Sequence, residues 1–328
     1  MISWGFLGAA KISTARVLPG LRHARASRVV AMASRDRARA EAAAERFGIA
    51  TAFGSYDELI AHPEVEAVYI ALPNHLHAEW SIRAMEAGKP VLCEKPLAMN
   101  AAEAAEVAVA SRRTQQPIME AFMYRFHPQW QRAHAIVLAG GIGAVRSVHT
   151  LFAYSNVDPA NIRNSREAGG GALMDIGCYG VSVARWMFGG EPANVLAAMR
   201  IDERFGTDWL TSAILEFEAG VATLTCSTQS APGQRVDIVG STGRIVVDIP
   251  FNAPTDRPCR IFVDRGGGAG EETFDVCDQF ARQFDAFSMA IAEGRPAPTP
   301  IEDAVANMAV IDSIRRSAQD PVKERTSR

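Results

Sequence analysis

The chain has 328 residues, more than one hydrophobic core usually serves, so two domains are expected. With 48% hydrophobic and 22% charged residues it has the composition of an ordinary globular protein, which excludes a disordered or fibrous chain. A net charge of -3 gives no electrostatic reason to expect nucleic acid or an anionic membrane as partner, and no uninterrupted apolar run is long enough to span a bilayer.

Met1-Ile2-Ser3-Trp4 runs straight into a strand pattern, without the basic and apolar regions of a secretory signal, so the cytoplasm is the expected location. Up to about residue 120, short apolar runs alternate with alanine-rich amphipathic stretches, the rhythm of βαβ units on a parallel sheet. Strands are expected over 4–7, 29–33, 67–72, 90–93 and 117–119, and helices over 37–47, 56–61, 76–87 and 101–112. Gly48 and Gly88 follow two of these helices directly, as C-terminal caps should.

After about residue 125 the rhythm changes. A helix over 129–138 ends at Gly140-Gly141, and longer alternating strands follow over 145–153, 193–201, 211–217, 221–228, 236–239, 244–247 and 260–263. One helix over 172–187 interrupts them, and two more, 278–293 and 302–317, close the pattern. Gly266-Gly267-Gly268-Ala269-Gly270, after the strand-like Ile261-Phe262-Val263, is the loop of a loose hairpin. The expectation is an α/β chain: a doubly wound parallel sheet in residues 1–121, and in residues 122–328 an α+β domain with a large, mostly antiparallel sheet. The five cysteines Cys93, Cys178, Cys226, Cys259 and Cys277 are scattered and form no C-x-x-C pair, so they are expected as reduced, mostly buried thiols with no metal to hold.

The first strand runs into Gly8-Ala9-Ala10-Lys11-Ile12-Ser13, where a dinucleotide fingerprint would have G-x-G-x-x-G before a helix. Only Gly8 of the three glycines is kept, with Ala10 and Ser13 at the other positions, so taken bare the segment is equally a tight strand-to-helix turn. Its place at the head of a βαβ array favours a pyrophosphate held by backbone N–H groups from Gly8 to Ile12. At the end of the second strand, an acidic residue would accept from the 2'-hydroxyl of NAD, whereas a hydroxyl and a guanidinium suit a 2'-phosphate. Ser34 and Arg35, with Arg39 from the next helix, favour NADP, with NAD the alternative; a solvated helix start is the plain reading of the same arginines. Leu72, Pro73 and Asn74 end a later strand at the same sheet edge and would lie along the nicotinamide half of the cofactor. His77 is kept with that lining set. As metal ligands His75 and His77 point to different sides of their helix, and helix-start or surface roles are the plain reading of both.

Two further segments carry proton chemistry. Lys95, in Glu94-Lys95-Pro96, ends an apolar strand, where a charge faces a ligand crevice. Glu94 either contacts the nicotinamide ribose or anchors the strand end, and Pro96 is a candidate for a cis peptide. Far downstream, Gly169-Gly170-Gly171-Ala172-Leu173-Met174-Asp175-Ile176-Gly177-Cys178-Tyr179 sets an acid and a phenol four residues apart, on one face of a helix. Singly, each has a dull reading: a surface lysine, a helix-start charge, a core aromatic. Together they suggest proton transfer.

These segments, with Glu120-Ala121-Phe122-Met123-Tyr124-Arg125-Phe126-His127-Pro128, resemble the Gfo/Idh/MocA oxidoreductase family over nearly the whole length. Tyr179 stands where most of that family has histidine, which resembles the branch of glucose-fructose oxidoreductase, dimeric dihydrodiol dehydrogenase and NADP-dependent xylose or glucose dehydrogenases. The resemblance implies a Rossmann domain, NADP, and a homodimer or homotetramer joined through the C-terminal sheet. It implies Tyr179 as acid–base assisted by Lys95, with Asp175 orienting the substrate hydroxyl or the lysine. Glu94, Lys95, Pro96 and Arg125 would face the cofactor, and Lys95, Arg163, Asp175 and Tyr179 the substrate; surface charge accounts equally for Arg163. Gly169 to Gly171 would let backbone approach nicotinamide and sugar. The expected reaction is oxidation of an aldose at its C1 hydroxyl to a lactone. The alternatives are reduction of a keto-sugar or dicarbonyl, trans-dihydrodiol oxidation, and, in another class, a non-catalytic nicotinamide sensor.

Overall fold

A computed structural model describes residues 1–319. It divides into two compact units, neither continuous in sequence: the first comprises Met1–Arg132, Phe251–Cys259 and Thr273–Val305, the second Ala133–Pro250, Arg260–Glu272 and, among the described residues, 306–319. A single cut at 121/122 therefore simplifies the organisation, because the chain returns to its first unit after residue 250; the end of the expected second domain, 320–328, lies outside the described residues.

The first unit holds a six-stranded sheet of β1 (Ile2–Leu7), β2 (Ser27–Ala33), β3 (Thr51–Phe53), β4 (Ala67–Ile70), β5 (Val91–Cys93) and β6 (Ile118–Glu120), all parallel, in the order β3-β2-β1-β4-β5-β6. β1, β4, β5 and β6 are buried at every residue, as strands covered on both faces must be, and this is why they read as apolar runs without alternation. The helices between them are α1 (Leu18–Leu21), α2 (Arg37–Phe47), α3 (Tyr56–Ala61), α4 (His77–Glu86) and α5 (Ala101–Thr114). Asp36, Ser55 and Asn100 cap α2, α3 and α5 by accepting backbone N–H bonds. β3 was not anticipated: three half-buried residues are too few for a period to declare itself.

The second unit is built on an eight-stranded sheet. Its strands are β7 (Val145–Ser155), β8 (Asn194–Ile201), β9 (Asp208–Phe217), β10 (Gly220–Ser227), β11 (Gln229–Gly240), β12 (Arg244–Val247), β13 (Cys259–Asp264) and β14 (Ala269–Phe274), in the order β14-β13-β12-β11-β7-β10-β9-β8. Only the β7–β10 pair is parallel among the strand pairs with a defined register. β13 and β14 form the expected hairpin around the glycine run, and β14 is an additional edge strand whose Gly-Glu-Glu sequence carries no apolar signal.

The remaining helices are α6 (Pro128–Leu138), α7 (Cys178–Phe188), α8 (Gln279–Ala292) and α9 (Ile301–Gln319). The helix expected over 172–187 is not uniform: Leu173–Gly177 is a π-turn that leads into α7, and a second π-turn, Ser13–Val17, leads into α1. None of the helices among the described residues is long and apolar enough to cross a membrane. Four of the five cysteines are buried thiols and Cys277 is half-buried.

Candidate active site

In the first unit the strand order reverses between β1 and β4, and the loops beyond their carboxyl ends form the crevice where such sheets bind ligands. Gly8 leaves β1 with φ +104°, and a Cβ there would stand 2.5 Å from the Ala71 carbonyl oxygen, so the loops after β1 and β4 touch at this point and only glycine fits. Ser13, in the fingerprint's third glycine position, is fully buried and its hydroxyl donates to the Gly8 carbonyl at 3.1 Å. A small polar residue thus replaces glycine by closing the turn with a hydrogen bond. The helix that begins at Lys11 presents its first N–H groups to this loop, a donor set suited to a diphosphate.

The three arginines after β2 separate by contact. Arg37 pairs with Glu41 on the surface at 2.8 Å, whereas the Arg39 guanidinium donates to the Ala9 carbonyl at 3.3 Å and so reaches back to the glycine loop. Asp36 is committed as the cap of α2, and the Ser34 hydroxyl accepts from the Asp36 N–H at 3.3 Å. Arg35 is exposed. A hydroxyl and two guanidinium groups therefore stand at the end of β2, with the one nearby acid occupied elsewhere.

His77 departs from the expected surface role. It is buried, with Nδ1 2.7 Å from the Pro96 carbonyl and Nε2 2.8 Å from the Leu72 carbonyl, so it braces the lining loops from beneath. Burial pushes its pKa down to about 4, although both carbonyl contacts favour the charged ring. The Lys95–Pro96 peptide is cis. Glu94 accepts from the Tyr69 hydroxyl at 2.7 Å, which supports the strand-end anchor, and the buried Glu120 carboxylate accepts from the Leu97 N–H at 2.8 Å. Arg125, expected at the cofactor, is buried and pairs with Asp303 at 2.9 Å, its guanidinium lying over the Phe122 ring. That pair gives Arg125 an internal electrostatic role.

In the second unit Asp175 lies in the π-turn before α7. Its Oδ2 accepts from the Tyr154 hydroxyl at 2.6 Å and is 2.9 Å from Arg163 Nε. Arg163 is 40% exposed along its side chain, and its charge is held chiefly by Asp175, with smaller contributions from Tyr154 and Tyr179. Arg163, read as a substrate contact or equally as surface charge, is a half-exposed cation beside the acid and two phenols. Tyr179 is buried, its ring edge-on to Phe152 at 5.7 Å.

The glycine run before this helix packs on the protein itself. Gly170 and Gly171 donate to the carbonyls of Ser165 and Arg163 at 2.8 and 2.9 Å. A Cβ on Gly170 would lie 2.3 Å from the Arg163 carbonyl oxygen, and one on Gly171, at φ +113°, would lie 2.0 Å from Asp208 Oδ1. The run accordingly needs no ligand to account for its composition. The buried Asp208 accepts from the Leu173 N–H and the Thr211 hydroxyl at 2.8 and 2.7 Å, capping the π-turn from β9 while burial raises its pKa. Tyr154, Asp208 and Glu120 were not found from sequence. Each reaches its partner across 21 to 35 residues, and only Glu120 stood in a quoted motif.

Residues 2–122 match the model of an oxidoreductase family with an NAD-binding Rossmann fold, and residues 130–246 match the Gfo/Idh/MocA C-terminal domain. The chain belongs to the Gfo/Idh/MocA oxidoreductase family. Gfo/Idh/MocA relatives include an uncharacterised oxidoreductase of Rhizobium meliloti, 46% identical with 97% of each chain covered. The D-xylose 1-dehydrogenase (NADP(+)) 2 of Haloferax volcanii is 39% identical, with 96% of this chain and 97% of the relative covered. A 3-ketoreductase from Actinomadura kijaniata, solved in complex with NADP and TDP-benzene, superposes with a TM-score of 0.88 at 32% identity, over 96% of this chain and 97% of that one. Membership brings NAD(P)-dependent oxidoreductase chemistry on sugar-type compounds.

Proposed function

We propose that the protein uses NADP to oxidise the C1 hydroxyl of an aldose to the lactone, with Tyr179 as acid–base and Lys95 assisting it. The observation that carries this reading is Asp175, held by Tyr154 and Arg163 one turn before Tyr179, because it assembles acid, cation and phenol in one unit. NADP is supported by Ser34 and Arg35 with Arg39 reaching Ala9, and by the similarity to an NADP-dependent xylose dehydrogenase.

When bound, the nicotinamide supplies the acceptor for the hydride that leaves the substrate carbon. Gly8, Ala9, Ala10, Lys11 and Ile12 would hold the diphosphate, and Ser34, Arg35 and Arg39 the 2'-phosphate. Leu72, Pro73, Asn74, Glu94, Lys95 and Pro96 would line the nicotinamide half. Tyr179 takes the proton of the substrate hydroxyl in oxidation and returns it in reduction. A free phenol titrates near ~10, so it needs a cation to act at neutral pH. Lys95 serves that end and stabilises charge on the substrate oxygen. Arg163, half-exposed and within the electrostatic reach of Tyr179, adds to the field on the phenol, and Asp175 orients the sugar hydroxyl.

The similarity to a 3-ketoreductase favours a second reading, reduction of a keto-sugar by the same residues run in the opposite direction. The test offers pentoses, hexoses and diols with NADP+ or NAD+, and keto-sugars with NADPH, following nicotinamide absorbance. Aldose turnover with NADP+, falling about 10²–10⁴-fold in Tyr179→Phe, is the expected result. Turnover of keto-sugars alone would establish the second reading, and a near wild-type rate in Tyr179→Phe would remove the acid–base assignment. We also infer a homodimer or homotetramer joined through the outer face of the eight-stranded sheet, where Leu151, Leu196, Ile214 and Val221 are exposed.

A further inference from the structure

We propose that His77 is a positioning residue for Lys95, holding the turn that carries the lysine through the Pro96 carbonyl. This rests on the reading of Lys95 as catalytic. The hydrogen-bond ladder between β4 and β5 ends where the Glu94 N–H donates to the Ile70 carbonyl at 2.9 Å. Two residues further along each chain the ladder cannot continue, because residue 96 is a proline and has no N–H. There the His77 ring takes its place: with a nitrogen on each edge, it touches the Leu72 carbonyl on one side and the Pro96 carbonyl on the other.

The ring is 1% exposed, so its polar edges are retained at a desolvation cost that an apolar filler would not incur. A neutral imidazole carries one N–H and donates to one of the two carbonyls at a time. The shorter contact, 2.7 Å, is the one to Pro96. His77 does not act alone: Tyr69 holds Glu94 and Glu120 holds the Leu97 N–H. The residues on both sides of Lys95 are thus each gripped by a side chain from elsewhere in the unit. A lysine has a flexible four-carbon stem, so where its ammonium goes depends on how firmly its own backbone is set. His77 is therefore a support beneath the cofactor-lining loops rather than a group that touches the cofactor.

The chain has four lysines, Lys11, Lys89, Lys95 and Lys323, few enough for isotopically methylated protein to give separate lysine signals in NMR. Loss of one signal in Lys95→Arg assigns Lys95, and its shift is followed against pH. His77→Gln keeps a polar group toward Leu72 and loses the Pro96 contact; in it the Lys95 midpoint should move by about half a unit or more, with Lys11 and Lys89 unmoved. His77→Asn, which keeps a donor toward Pro96, should restore the wild-type curve. An unchanged Lys95 curve in His77→Gln, or equal movement of all the lysines, overturns the proposal. If His77→Gln does not fold, His77→Asn decides: a wild-type curve supports the proposal and a shifted one overturns it. Turnover of Lys95→Met on the sugar panel separately tests the catalytic reading, since a wild-type rate there would remove Lys95 from catalysis while leaving the NMR result readable.

Discussion

His127 is, beside His77, a residue on which acid stability depends. It is buried, its Nδ1 accepts from the Gln129 N–H at 3.2 Å at the start of α6, and burial pushes its pKa down to about 4. In the unfolded chain the ring takes up its proton near pH ~6.5, so between that pH and about 4 the unfolded state binds the extra proton and the folded state does not. Stability is therefore fully present above pH ~6.5 and is lost as pH falls toward 4, on the order of 3 kcal/mol for this ring. Urea unfolding of His127→Gln across that window should show a pH dependence flatter by about that amount. An equally steep loss in wild type and variant would refute the assignment. At this scale the sequence was most legible where a motif is contiguous: Gly8 and Lys95 follow strands, and Tyr179 lies in a helix, that the pattern anticipated, whereas Asp175 falls in the π-turn before that helix. Tyr154 and Asp208 were not legible, because a residue that works by reaching across a fold leaves no spacing to read. Arg125, expected to face the cofactor, pairs internally with Asp303, and His77, expected at the lining loops or the surface, is buried against the Leu72 and Pro96 carbonyls, since periodicity gives a face but not a partner.

Among elements, the π-turn Leu173–Gly177 is closely packed against its neighbours. A Cβ on Gly177 would lie 2.8 Å from Cys226 Sγ on β10 and 3.0 Å from Leu173 Cδ1. The sulfur sits on a short side chain in a fully buried strand position, so the helix would have to give way. Gly177→Ala should cost about 1–3 kcal/mol in denaturant unfolding and lower turnover, because Asp175 and Tyr179 flank the displaced turn. A midpoint equal to wild type would mean that the helix is not seated as described. Element identity and most boundaries could be read from hydrophobic period and caps; α2, α3 and β12 coincide with expectation at both ends. The π-turns could not, because five residues wound more widely keep the composition of an α-helix. β11 extends well ahead of the expected 236–239, and its first half, with Pro232 and Gly233, has little apolar alternation to reveal it.

For the molecule as a whole, the proposed assembly rests on the outer face of the eight-stranded sheet. Leu196 pairs with Ile214, which pairs with Thr223, which pairs with His149, so one row across β8, β9, β10 and β7 presents two large apolar side chains and a His149–Thr223 hydrogen bond of 2.7 Å. Ile214 is 41% exposed and Leu196 56%. Ile214→Arg would bury a charge in any pairing of this face and should convert the proposed oligomer to a monomer in sedimentation. An unchanged sedimentation coefficient would exclude the face as the junction. The two-part organisation could be read from the change of rhythm near residue 125, but the return of the chain could not, because α8 resembles any amphipathic helix.

That return bears on how the protein is made. Trp4 stacks edge-on to Phe284 at 4.9 Å and donates its indole N–H to Ser288 at 2.9 Å, and Phe6 lies 5.8 Å from the same Phe284 ring. β1 is thus completed by a helix far downstream in the chain, since Trp4 and Ser288 stand 284 residues apart. At translation rates of about 5–20 residues per second, the nascent nucleotide-binding sheet waits roughly 10–30 s beyond residue 121 with its tryptophan uncovered. Throughout that interval it is an attractive surface for a chaperone.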